Sequence, residues 1–171
     1  MFLDLLKKRR SIRLFTEQPV EKEKIDLLVE AMLRSPSSRG LNPWEFVVVS
    51  DRQLVNDLAK AKAHGSSFLK NGPLAIVVCG DPDRCDVWIE DCSIAALVIH
   101  LAATDLGLGS CWIQIRERPH DETMSAEEYV KKLLGIKENL KIEAIIAIGY
   151  SQEEKPGHPL SSLPEGKVRY V

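Results

Sequence analysis

The 171-residue sequence lacks several motifs that would identify a particular chemistry. The four cysteines form no Cys-x-x-Cys pair and no histidine lies at a metal-ligand spacing from them, so we expect reduced thiols and no metal site. The sequence has no phosphate loop and no dinucleotide fingerprint, and its spacing supports no Ser-His-Asp or Cys-His arrangement. The lack of an evident base or nucleophile indicates that a cofactor does the chemistry.

The charge and hydropathy patterns also exclude broad classes of protein. A net charge of −2 gives no overall attraction to nucleic acid or to anionic lipid. The one dense basic run, Lys7–Arg10, is typical of a solvated helix end. The apolar residues at the start are too few for a signal peptide, and the longest apolar run is shorter than the roughly 20 residues that a membrane span requires. We therefore expect a cytoplasmic protein without nucleic-acid or membrane partners.

Helix and strand patterns alternate along the whole chain, and no repeat or domain boundary interrupts them. A hydrophobic content of 44% and a charged content of 28% are ordinary for a globular protein, so we expect one α+β domain over residues 1–171. Helical periodicity predicts helices over 2–8, 21–33, 53–63 and 125–134. Apolar runs predict strands over 44–50, 74–79, 110–115 and 142–150, with a terminal strand over 167–171.

The stretch from Trp88 to Ile115 is predicted to be the centre of the fold. Its Ala- and Leu-rich part, Ser93–Thr104, is apolar on nearly every face, and such a helix must be surrounded by protein. Gly107 is suited to end the helix because glycine adopts the left-handed conformation without a Cβ clash. Small residues such as Ala95 would let a second helix approach closely, so we expect this helix to be both core and subunit interface.

The first candidate binding segment is Arg9–Arg13. Its guanidinium groups and the Ser11 hydroxyl suit a phosphate and a sugar chain, because arginine offers fixed, bidentate donors to phosphate oxygens. Ile12 and Leu14 alternate with the arginine side chains, and this pattern predicts that the arginines lie on one face. The alternative is a basic surface turn.

Two other segments could contact a ligand. Pro36–Ser38, together with Asn42, forms a loop whose hydroxyls could bind a polyol or a heteroaromatic edge, although its composition fits an ordinary turn equally well. In Gly107–Trp112, a Gly-Leu-Gly turn joins helix to strand, where backbone can lie close to a flat ligand. His100, in the middle of the apolar helix, is predicted to be a core histidine and not a base.

Taken together, these segments resemble the nitroreductase family of FMN enzymes. The resemblance lies in Arg9–Arg13, Pro36–Trp44, Gly107–Ile113 and Gly149–Tyr150 followed by Lys155–Pro156, which occur in the family's order over nearly the whole chain. It implies an α+β fold with a mixed β-sheet flanked by helices and a long buried central helix. It also implies an obligate homodimer with two flavin sites at the interface and a C-terminal tail exchanged between subunits.

The resemblance further implies which residues bind FMN. Arg9 would hold the phosphate, Arg10 and Ser11 would follow the phosphate and ribityl chain, and Arg13 would be the cation near flavin N1 and O2. No other catalytic side chain is expected. The remaining implied contacts are Pro36, Ser37 and Ser38 of the partner, Asn42, Cys111, Trp112, Ile113, Gln114, Lys155 and His158, with a backbone N–H of residues 112–114 near N5. Many members carry Asn where Gly40 stands, so Asn42 or Arg39 is expected to replace that contact.

The reaction implied is a ping-pong hydride transfer from NAD(P)H through flavin N5 to a small electron-poor acceptor, such as a nitroaromatic or a quinone. Residues 64–70 and 116–123 are the candidate lids of the pocket. Two other hypotheses stay open at this point: a flavin-binding or regulatory module with little turnover, and a small αβ domain without a cofactor. The sequence does not choose between NADH and NADPH, or among nitro, quinone, enone and dehalogenation chemistry.

Overall fold

The computed structural model describes residues 1–171, which fold around a four-stranded β-sheet. The strands lie in the order β1-β2-β4-β3, and every neighbouring pair is antiparallel. One parallel pairing is added by an isolated bridge between Ser11 and Ser110. The strands are β1 (Trp44–Val49), β2 (Leu74–Gly80), β3 (Gly109–Gln114) and β4 (Lys141–Gly149).

Helices cover the two faces of the sheet, and this confirms the predicted α+β class. The apolar sides of α2 and α4 form one buried cluster with the sheet, which includes Leu28, Ile99 and Ile146. The apolar sides of α3 and α5 form a second cluster on the opposite face, which includes Leu58, Val130 and Ile145. Helix α1 lies against α4. The helices are α1 (Phe2–Lys8), α2 (Lys22–Leu33), α3 (Arg52–Leu58), α4 (Trp88–Asp105) and α5 (Ala126–Leu134).

Helix α3 ends at Leu58, five residues before the predicted end at Ala63. Its hydrogen bonding tightens there, because the N–H of Ala61 donates to the carbonyl of Leu58 three residues back. The fully buried hydroxyl of Ser66 then donates to the Ala59 carbonyl at 2.8 Å and holds the chain in a loop. This side-chain bond competes with continuation of the helix.

Helix α4 is central as predicted, but its own chain covers only one side of it. Ala95, Ala96 and Ile99 are completely buried, whereas Ile94 is 41% exposed and Leu97 is 50% exposed. The residues of α1 that lie against α4 do not cover this row. None of the helices, α4 included, combines the length and the apolar character needed to cross a membrane. All four cysteines are buried and free.

The tail after β4 contains no strand, so the predicted terminal strand over residues 167–171 is wrong for the single chain. Short 3₁₀ turns occur at Leu160–Ser162 and Glu165–Lys167, and Val168 is extended but pairs with no other strand. Every residue from His158 onward is exposed, including the large apolar side chain of Tyr170. An extended segment becomes a strand only where a sheet edge accepts it, and no edge of this chain does so.

Candidate functional site

The N-terminal arm, residues 9–16, is attached to the edge of β3 and to the start of the tail. The N–H of Ile12 donates to the Ser110 carbonyl at 3.0 Å, and the N–H of Thr16 donates to the Tyr150 carbonyl at 2.9 Å. Ile12 is buried against Gly109, where a Cβ atom would come within 2.8 Å of the Ile12 Cβ. A residue other than glycine at position 109 would therefore push the arm away from the sheet.

The carboxylate of Glu153 bends the arm. It accepts hydrogen bonds from two successive backbone N–H groups, those of Arg13 at 2.7 Å and Leu14 at 3.2 Å. Successive N–H groups point in opposite directions in a regular strand, so the arm cannot be regular here. The predicted alternation of Ile12 and Leu14 is accordingly wrong: Leu14 is 49% exposed, and Phe15 is buried in its place.

Basic side chains from both ends of the chain meet beside the arm. Lys155 donates to the Ser11 carbonyl at 3.1 Å and to Glu153 at 2.8 Å, and the Arg10 guanidinium donates to the Pro156 carbonyl. Together they border a cavity of about 170 Å³, which is lined by Lys8, Arg10, Ile12, Thr104, Gly107, Leu108, Gly109, Ser151, Glu153 and Lys155. The structure thus brings Arg10, Ser11 and Lys155 together, whereas His158 lies in the exposed tail.

The free edge of β3 continues from this cavity and offers backbone donors. Because β3 pairs with β4 on one side only, every second residue directs its N–H outward. The Ser110 carbonyl accepts from Ile12, which lies outside the sheet, so Ser110 directs its backbone groups away from β4. Because the direction alternates along a strand, the N–H groups of Trp112 and Gln114 also point outward. Cys111 and Ile113 belong to the inward set and their side chains are buried, which leaves Trp112 and Gln114 as the residues that can face a ligand.

The side chain of Gln114 is already fully engaged within the protein. Its Oε1 accepts from Trp112 Nε1 at 2.9 Å, and its Nε2 donates to the Arg116 carbonyl at 3.2 Å. Gln114 can therefore contact a ligand through its backbone N–H, as predicted for residues 112–114, while its side chain is held within the protein.

His100 lies beneath the arm and connects it to α4. Its Nδ1 is 2.7 Å from the hydroxyl of Ser110, whose carbonyl holds Ile12. Burial, and secondarily the positive charge of Arg9, lower the pKa of His100 to about 4. A neutral imidazole that is bound to a neighbouring hydroxyl fits the predicted core histidine.

The loop of Pro36–Ser38 is ordered by contacts separate from those of the arm. The Ser37 hydroxyl bonds to the Asn42 carboxamide at 2.7 Å, and the Ser38 N–H donates to the buried carboxylate of Asp91 at 2.8 Å. Arg39 forms an ion pair with Asp86. Asn42 and Arg39, the two expected replacements for an asparagine at position 40, are thus both engaged within the chain, and none of these bonds reaches the arm.

Glu153, Asp91 and Phe68 are site residues that the sequence did not reveal. Glu153 binds N–H groups about 140 residues away, and Asp91 binds one 53 residues away. Phe68 lies beneath the guanidinium of Arg13, with 5.8 Å from Arg13 Cζ to the ring centroid. No local spacing marks such contacts, and the nearest available signal is a carboxylate two residues before Lys155.

Replacing Glu153 with Gln should make the arm's attachment insensitive to acid. The hydrogen bond from the Arg13 N–H, followed by that from Lys155, holds the pKa of Glu153 below its usual value of 4.5. The charged form therefore stabilises the fold above pH 4.5, and this contribution is lost as the pH falls through the lowered pKa. Urea unfolding should show Glu153→Gln less stable than wild type by about 1–2 kcal/mol at pH 7, with the difference shrinking below pH 4.5.

The exposed neighbour provides the matched control, since Glu154→Gln should leave stability unchanged throughout this range. A difference between Glu153→Gln and wild type that stayed constant from pH 7 to pH 3 would show that the carboxylate's charge plays no part.

Comparison with known proteins connects this geometry to a family. The model of the Nitroreductase family matches residues 6–66 and 56–150. The solved structure of an FMN-dependent nitroreductase from Clostridium difficile R20291 is 48% identical, covers 98% of each chain and has a TM-score of 0.96. A protein of Archaeoglobus fulgidus, provisionally named NADH dehydrogenase/NAD(P)H nitroreductase, is 37% identical over 90% of this chain and 87% of its own. FMN reductase (NAD(P)H) of Bacillus subtilis is 26% identical over 74% of this chain and 60% of its own. The chain belongs to the nitroreductase family.

Proposed function

We propose that this chain is an FMN-dependent oxidoreductase that takes electrons from NAD(P)H and passes them to a small electron-poor molecule, such as a nitroaromatic or a quinone. The observation that carries the proposal is the meeting of Arg10 and Lys155 at a cavity beside the free edge of β3, where Lys155 also binds the Ser11 carbonyl. FMN and NAD(P)H both occur in the names of the similar proteins.

The cavity beside the arm fits the phosphate end of FMN. Lys8, Arg10 and Lys155 line it, and Glu153 is the one carboxylate among its lining residues. Arg9 adds a guanidinium that forms no ion pair in the chain. Such an excess of positive charge suits a phosphate dianion, and arginine can bind two of its oxygens at once.

The edge of β3 fits the ring end of FMN. The outward N–H groups of Trp112 and Gln114 are donors for the acceptor atoms along one edge of the isoalloxazine. Arg13 is exposed, lies against Phe68 and forms no hydrogen bond through its side chain, so its charge is available to the N1 and O2 side of the ring. The N–H donors of β3 and the cation of Arg13 thus match the acceptor atoms and the developing negative charge of the isoalloxazine ring.

The protein's part in the reaction is to position the reactants and to stabilise charge. Bound FMN would supply the redox chemistry, accepting hydride at N5 from NAD(P)H and delivering it to the acceptor in a ping-pong sequence. Arg13 would stabilise the negative charge that reduction places near N1 and O2. The arm's attachment to Ser110 keeps the backbone of Arg13 beside the donors of β3.

We propose that two copies of the chain form the active molecule. Ile94 and Leu97 on α4 and Phe2 on α1 are large apolar side chains that their own chain leaves exposed. They continue into an apolar depression lined by Leu5, Val98 and Leu101, so a second α4 could cover one continuous surface. The Pro36–Ser38 loop, which does not touch the arm of its own chain, would complete the partner's site, and the exposed tail would cross to the partner.

The visible spectrum of the purified protein tests the function directly. With FMN bound we expect flavin absorbance that bleaches when NADPH or NADH is added without air and returns when a nitroaromatic or a quinone is supplied. Flavin that binds but is not bleached by either donor would indicate the regulatory-module hypothesis. A protein that stays colourless after FMN is added would exclude both.

Replacing Arg13 with Ala should make the reduction potential of bound FMN more negative. Loss of one charge-assisted contact with the reduced ring is worth about 1.5–3 kcal/mol, or roughly 30–60 mV for a two-electron couple. A spectroscopic redox titration against a reference dye measures the shift. The exposed Arg52, which lines a different cavity, supplies the control Arg52→Ala. An unchanged potential in Arg13→Ala would remove Arg13 from this role.

Replacing Leu97 with Glu should separate the subunits and weaken FMN binding at the same time. A carboxylate buried in an apolar interface without a partner is strongly destabilising. Sedimentation should show a shift from dimer to monomer, flavin fluorescence should show an affinity loss of at least about tenfold, and circular dichroism should show an intact fold. Lys132→Glu puts the same side chain on the exposed face of α5 and should change neither property. A monomeric variant with wild-type FMN affinity would contradict the shared site.

A further inference from the structure

Two loops at the ring end of the proposed site are tied to each other. The first loop, residues 59–66, follows α3, and the second, residues 115–124, follows β3. Nδ1 of His120 in the second loop lies 3.1 Å from the Ala61 carbonyl in the first. The His120 ring also stacks on Tyr129, with 4.2 Å between the ring centroids. These contacts hold the loops side by side in one arrangement.

Each loop carries one basic side chain that has no acidic partner. Lys62 in the first loop and Arg118 in the second form no ion pair. The hydrogen bond that the Arg118 side chain makes goes to the Glu117 carbonyl at 3.3 Å. The ammonium of Lys62 lies over Gly65, 3.6 Å from the place where a Cβ atom would be.

The two cations lie on loops that the contact between His120 and the Ala61 carbonyl holds together. Burial, followed by the positive charge of Arg118, lowers the pKa of Lys62. No carboxylate of the second loop forms an ion pair with either cation: Glu117 pairs with Arg116 at 2.6 Å, Asp121 binds the N–H groups of Thr123 and Met124, and Glu122 forms no ion pair. Two positive charges on joined loops would be stabilised by a bound anion.

The position of the pair follows from the elements that the loops continue. The first loop leads to Phe68, which lies against the guanidinium of Arg13. The second loop continues β3 directly beyond Gln114, whose side chain is bonded to the Arg116 carbonyl. Lys62 and Arg118 therefore stand beyond the ring end of the proposed flavin site, whereas Lys8, Arg10 and Lys155 line the cavity at its other end.

We propose that Lys62 and Arg118 together bind the phosphate groups of the nicotinamide dinucleotide that reduces the flavin. The inference rests on the proposed function. A dihydronicotinamide that stacks on the flavin ring must direct the rest of its molecule out of the pocket, and these loops border the ring end. The planar fork of Arg118 can bind two phosphate oxygens while Lys62 contributes a point charge.

The test uses the FMN-loaded protein and follows flavin reduction by rapid mixing without air. The donors are NADPH, NADH and 1-methyl-1,4-dihydronicotinamide, which carries no phosphate. In the double variant Lys62→Gln/Arg118→Gln, we expect the concentration of NADPH or NADH that half-saturates reduction to rise on the order of tenfold. Reduction by the phosphate-free donor should keep its wild-type rate. FMN affinity should match wild type, and the variant should unfold at no lower urea concentration than wild type.

A double variant on exposed lysines elsewhere, Lys132→Gln/Lys137→Gln, removes the same number of positive charges and should behave as wild type with every donor. This control separates local binding from a general effect of net charge.

Several results would overturn the inference. The first is a half-saturating concentration that stays unchanged for both NADPH and NADH in the double variant. The second is an equal slowing of reduction by the phosphate-free donor, because Lys62 and Arg118 would then act on the nicotinamide ring and not on phosphate. Normal reduction combined with slower reoxidation by 4-nitrobenzoate, but not by nitrobenzene, would assign the pair to an acceptor's carboxylate instead. If no donor reduces the wild-type flavin, the proposed function fails and this inference fails with it.

Discussion

The hydrogen bond from the Ile12 N–H to the Ser110 carbonyl sets the geometry on which the rest of the site depends. It places the arm along the edge of β3, and the missing side chain of Gly109 lets Ile12 approach the sheet. Behind this contact, His100 holds the Ser110 hydroxyl from within the core. An arm attached at this point has its basic residues beside the outward N–H groups of β3. The apolar core and the polar groove are thus connected through one residue, Ser110.

Charge is distributed unevenly along this groove. The carboxylate of Glu153 binds the backbone of the arm and forms an ion pair with Lys155, so it orders the groove and offsets one of its positive charges. Arg9 and Arg13 keep their charges free. Lys62 and Arg118, on two loops that His120 holds together, form no ion pair, and Glu117 is paired with Arg116. Positive groups without partners cost stability in the free chain, and this arrangement is physically reasonable if anionic ligands supply the missing charge.

Helix α4 carries the apolar surface on which the proposed dimer depends. Its small residues fill the narrow space against the sheet, where Ala95, Ala96 and Ala103 have no exposed surface. Its larger residues, Ile94 and Leu97, point the other way and lie in water in the single chain. The same division appears in the tail, whose apolar side chains find no place on their own sheet. A second subunit would cover both surfaces, because burying apolar area is the largest favourable term in association.

Patterns within single elements determined most of the fold. Helical and strand periodicity located every long helix and strand, and the Ser125–Glu128 capping box marked the start of α5, since these signals depend on neighbours a few residues apart. The ordered motifs also sufficed to recognise the family. Only the tertiary structure decided that Glu153 bends the arm, that Phe15 and not Leu14 is buried, that Gln114 has a fixed side chain, and that the loops of Lys62 and Arg118 lie side by side. Each of these outcomes joins groups far apart in the chain, and no local pattern encodes where two distant segments will meet.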